Sequence, residues 1–78
     1  MSNIATVLVD QTTWHPTGIH MPHGAPKNIL TAGLPDWTLL FVEYSGEDEL
    51  NLIRKALFKA EMKIVHVTES RMYFEEAA

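Results

Sequence analysis

Three histidines carry the clearest chemical potential in this chain. His15, His20 and His23 follow H-x4-H-x2-H spacing in a stretch rich in proline and glycine, with Asp10 just upstream. Imidazoles and a carboxylate are good ligands for divalent transition metals, and an H-x2-H pair on a loop can reach one ion. A metal-binding protein built on His15, His20 and His23 is therefore one reading. The plainer reading makes them surface histidines at turn positions, because neither a helical HExxH nor a cysteine is present to complete a site. The fourth histidine, His66, falls in an apolar segment where alternation puts Ile64, His66 and Thr68 on one face. A general base there is one option. A half-buried histidine bonded to a neighbour is the simpler expectation.

Other catalytic signatures are missing. No serine sits in a G-x-S-x-G elbow. No multi-glycine loop follows a strand to receive a pyrophosphate. Gly46 stands at the start of a helix, and helix N-termini attract anions. Glu47, Asp48 and Glu49 occupy that end, however, and repel one. The acids Asp48/Glu49 and Glu75/Glu76 are neighbours in sequence, so their side chains diverge rather than pair. With no cysteine, the chain has no disulfide, zinc ribbon, iron–sulfur cluster or thiol nucleophile. The expectation is a protein that is not an enzyme.

Binding is the better-supported class. The chain has ten acids against six Lys and Arg, for a net charge of −4. Nucleic-acid affinity depends on neutralising phosphates with Lys and Arg, so direct nucleic-acid binding is disfavoured. Acids at the ends of the C-terminal elements, with the aromatic residues near them, suit a protein partner with a basic surface. The candidate contact residues are Tyr44, Glu47, Asp48, Glu49, Phe58, Tyr73 and Glu75. Trp14, Met21 and Met72 add to the interface-type inventory, whereas Trp37 is expected in the core. An ordinary solvated acidic surface is the competing reading. Protonating the four histidines would bring the net charge to about zero and lower solubility in mildly acidic buffer.

The elements that must position these residues fit one domain spanning residues 1–78. Residues 4–9 form an apolar β-branched strand whose two faces both need cover. Residues 10–36 hold all four prolines and three of the four glycines, and read as one long loop. Within it, Pro16-Thr17-Gly18 suits a small hairpin turn between Trp14 and Ile19, and Pro26 to Ala32 a short helix stopped by Gly33. Residues 37–44 are a central strand, apolar on both faces. Ser45 caps a helix over 46–62, as a Ser-x-x-Asp capping box, with Leu50, Ile53, Leu57 and Ala60 as its buried stripe. Residues 63–68 and 71–75 pair as a hairpin whose outer strand, 71–75, is the polar edge. A strand, a helix and a strand imply a right-handed parallel crossover. The expected fold is α+β: a small mixed sheet of three to four strands with one helix on one face. The uncovered second face must then meet the loop, a second copy or a target.

The sequence has no apolar run of membrane-spanning length, and Met1-Ser2-Asn3-Ile4 lacks a signal-peptide pattern, so a cytoplasmic setting is expected. In size, charge and class, the chain is similar to the small acidic inhibitors encoded by phages and mobile elements, anti-CRISPR proteins among them. That similarity implies an inhibitor that blocks a nucleic-acid-handling complex. The alternatives are the metal-binding protein above and a subunit of a homo-oligomer, such as a homodimer, with a ligand site between subunits.

Overall fold

A computed structural model of the chain describes residues 4–33 and 39–76. It contains six strands and one helix in the order β1 (Thr6–Val9), β2 (Pro16–His20), β3 (Lys27–Thr31), β4 (Leu40–Glu43), α1 (Gly46–Lys59), β5 (Met62–Val67) and β6 (Arg71–Glu76). The strands form one sheet, β1-β2-β3-β4-β6-β5, with every neighbouring pair antiparallel. The sheet curls into a half-barrel. The helix lies against both outermost strands, β5 and β1.

This corrects the expected mixed sheet of three to four strands. The loop expected over residues 10–36 supplies two of the strands. Its prolines and glycines sit where short strands begin and turn. Pro16 is the first residue of β2, a position that proline tolerates. Pro26 immediately precedes β3 and biases Ala25 toward an extended backbone. The helix expected over Pro26 to Ala32 is thus a strand. Gly24, with φ of 85°, serves the β2–β3 turn. Gly18 is not a turn residue but sits inside β2, where a Cβ would lie 2.9 Å from the Lys27 carbonyl oxygen.

The hairpin turn expected at Pro16 falls earlier, at residues 10–15. There Trp14 N–H donates to the Asp10 carbonyl and Asp10 N–H to that of His15. The expected parallel crossover is also interrupted. β4 and β5 run in the same direction, but β6 lies between them and pairs with both. β6 was expected at the edge because Arg71, Tyr73 and Glu75 are polar. It is instead interior, and its neighbours satisfy that polar face: Glu43 lies 3.5 Å from Arg71, and Lys63 lies 3.9 Å from Glu75. The real edges are β1 and β5. Trp37 and Thr38, at the start of the expected central strand, lie outside the described residues, as do Leu34 and Pro35.

The core lies between the concave face of the sheet and the helix. Leu40 and Val42 of β4, Met72 and Phe74 of β6 and Ile19 of β2 are fully buried, together with Ile53 and Leu57 of α1. Ala56 completes the buried helical stripe; Leu50 packs at its margin, and Met62, expected in the helix, belongs to β5. Lys27 reaches from the same face to Glu49 of the helix, at 2.8 Å. Ser45 occupies the N-cap, but its hydroxyl makes no capping bond. Its N–H donates to the Glu49 carboxylate instead, at 2.8 Å.

The second face of β4 is covered from within the sheet. Phe41 is only 9% exposed. The Arg71 guanidinium lies 4.5 Å from its ring centre, and the Tyr73 ring 5.5 Å away. β1, expected to be covered on both faces, leaves Leu8 and Val9 exposed.

Candidate functional site

The β1–β2 turn is the most specialised surface feature. A strand ending in Asp10 can fold back when the aspartate side chain accepts from following amides, because that replaces the lost ladder bonds. Thr12 N–H and Thr13 N–H both donate to Asp10 Oδ1, at 2.7 and 3.0 Å. These two bonds, Thr13's first and then Thr12's, hold the Asp10 carboxyl below its usual value. The backbone at Trp14 has φ of 63°, in the left-handed region. Its indole is 70% exposed. The next residue, His15, is anchored across the barrel end by an Nδ1 contact with Glu76 at 3.2 Å. Leu8 and Val9 of edge strand β1, which leads into the turn, are exposed as well.

A second feature lies beside the helix. Ile4, Ala5, Met62 and Ile64 form the apolar side of an open groove of about 710 Å³. Arg54, Lys55, Lys59 and the 82%-exposed Phe58 line its helical side.

The three candidate metal ligands point to different places. His15 faces Glu76. His20 is exposed on β2, opposite Thr6 of β1. His23 lies in the β2–β3 turn, beside Asp48 and Asn51 of the helix. Among the described residues, no three histidine or carboxylate side chains are gathered as a metal site.

The candidate contact residues fall into three groups. Tyr44, Glu47, Asp48 and Glu49 surround the start of the helix. The Tyr44 hydroxyl donates to the Thr68 carbonyl, and its N–H to that of Ser70, which fastens this end to the β5–β6 turn. Glu49 is engaged internally: the bond to Lys27, then that to Ser45 N–H, lowers its carboxyl pKa. Phe58 belongs to the groove. Tyr73 and Glu75 lie on the outer face of β6, where Tyr73 accepts a bond from Arg71 Nη1 at 3.4 Å; that bond is the main cause of the raised guanidinium pKa.

A β-bulge between Ile64 and His66 breaks the alternation of β5. Ile64 therefore pairs with buried Phe74, while His66 turns to the outer face, 6.2 Å from the Tyr73 ring. His66 is exposed rather than half-buried. The sequence named Trp14 among interface-type residues but gave no reason to choose it over the other aromatics. The signal that sets it apart is Asp10-x-Thr-Thr-Trp, an aspartate-anchored turn ahead of a tryptophan.

No helix among the described residues is long and apolar enough to cross a membrane. The described residues form an antiparallel half-barrel with a single helix. Compared with known proteins, the chain matches no family model, no curated protein and no solved structure.

Proposed function

We propose that the chain is a small non-catalytic protein-binding module that engages its partner through the β1–β2 turn and the free edge of β1. The observation that carries this reading is Trp14, 70% exposed on a backbone of φ 63°. A left-handed conformation costs a non-glycine residue about 1–2 kcal/mol. Asp10 accepts two amides and His15 is tied to Glu76, so the turn sustains that strain and presents the indole on a firm base. Tryptophan is among the residues that dominate binding energy at interfaces. The neighbouring Asp10 carboxylate and the π face of the indole both favour a cation. The partner accordingly offers Arg or Lys to Trp14. A basic surface of that kind is typical of proteins that neutralise phosphates, so blocking a nucleic-acid-handling complex is the function this contact suits.

The test is affinity capture from a lysate of the source cell, with wild type and Trp14→Gly side by side. Glycine relieves the left-handed backbone and removes the indole, so the fold survives while the anchor is lost. Wild type is expected to retain a stoichiometric basic partner, and Trp14→Gly to bind it roughly thirtyfold more weakly. Equal capture by both proteins, or none by wild type, defeats the reading.

A further inference from the structure

The six cations of the chain divide into two groups. Lys27, Lys63 and Arg71 each meet a carboxylate, on Glu49, Glu75 and Glu43 respectively. Arg54, Lys55 and Lys59 have no ion pair among the described residues, and the groove of Ile4, Met62 and Ile64 is lined by all three. No described carboxylate lines that groove. Its opposite side is hydrocarbon from Ile4, Ala5, Met62 and Ile64, and Phe58 stands almost fully exposed at its border. Lys55 and Lys59 are one helical turn apart, where like charges repel, and an anion held between them relieves that repulsion. The groove's volume, about 710 Å³, falls in the range of small-molecule sites.

We infer that this groove binds a long-chain carboxylate. The alkyl tail lies along Met62, Ile64 and Phe58, and the carboxylate faces Arg54, Lys55 and Lys59. In a chain of net charge −4, clustering every unpaired described cation around one apolar groove selects for an anion with a tail, and against neutral or cationic amphiphiles. This site shares no residue with the Trp14 turn and does not depend on it.

The experiment is calorimetric titration of the whole chain with octanoate, decanoate and dodecanoate, each below its micelle concentration. Saturable one-to-one binding is expected, tightening about fourfold for each added methylene. Dodecyltrimethylammonium, with the same tail and opposite charge, should bind at least tenfold more weakly than dodecanoate. The double substitution Lys55→Glu/Lys59→Glu should weaken dodecanoate on the order of tenfold. Phe58→Ser should flatten the dependence on chain length. Both variants alter exposed side chains and leave the core untouched. Trp14→Gly should bind dodecanoate like wild type, which separates this site from the proposed protein contact. The inference is overturned if dodecanoate gives no saturable binding, if the cationic amphiphile binds equally well, or if neither groove variant changes affinity. A stable dimer that dodecanoate neither binds nor dissociates would also overturn it, by showing a second copy in the groove.

Discussion

At the scale of single residues, Asp10 links the β1–β2 turn to pH. Its carboxyl is held below the usual value, first by the Thr13 amide and then by that of Thr12. A depressed folded-state value means that ionised Asp10 favours the folded turn. That contribution is fully present above the unfolded carboxylate value of about 3.9 and is lost as pH falls through the lower folded value. The Thr12 and Thr13 amide resonances should therefore titrate together, with a midpoint below about 3.9. Asp10→Ala should abolish that titration and raise amide exchange at both residues. A midpoint above that value, or amides indifferent to Asp10→Ala, would show that the carboxylate does not hold the turn. The same logic explains why the turn was only partly legible in the sequence. Asp10 marks the end of the strand, but two amides converging on one oxygen can be seen only once the chain has folded.

At the scale of elements, the lesson comes from β2 and β3. Residues 10–36 look like a loop because proline and glycine are dense there, yet density alone does not exclude strands of five residues. What decides is where the breakers stand. Pro16 and Pro26 open or precede strands, and Gly24 turns between them. Gly18 is the exception and is explained by contact: a methyl there would lie 2.9 Å from the Lys27 carbonyl oxygen. Neither partner in that clash is a flexible side chain, so the β2–β3 pair itself must shift. Gly18→Ala is expected to cost about 1–3 kcal/mol in urea unfolding, as overpacking does. Gly24→Ala meets no neighbour and strains only the turn. If Gly18→Ala matches wild type, the close approach of β2 and β3 is not real. The helix and the two C-terminal strands were legible because a 3.6-residue stripe and alternating apolar residues mark them directly. The facing of His66 was not, because one bulged residue reverses the alternation beyond it. The groove was not legible either. Phe58 is among the contact residues expected for a basic partner, but the basic groove it lines was hidden because its hydrocarbon side comes from distant parts of the chain, Ile4 and Ala5 from one and Met62 and Ile64 from the other.

At the scale of the whole molecule, one helix must complete a sheet that does not close. β1 and β5 are the two free edges, and α1 lies against both. Leu57 is fully buried in the cluster that joins the helix to the concave face. A chain of 78 residues has a total stability of about 4–12 kcal/mol. Cutting a buried leucine back to alanine costs about 2–5 kcal/mol, because the cavity adds to the lost transfer energy. Leu57→Ala should thus remove a large share of the total, lowering Tm by roughly 10–25 °C. Because the helix spans both edges, sheet and helix should melt together. Far-UV circular dichroism and the amide resonances of β4 and β6 should report one coincident transition in the variant as in wild type. A curled sheet that could stand alone would behave differently: the helical signal would be lost first, and the β4 and β6 resonances would keep a midpoint near that of wild type. That separation would refute the view that α1 is the structural closure of the half-barrel.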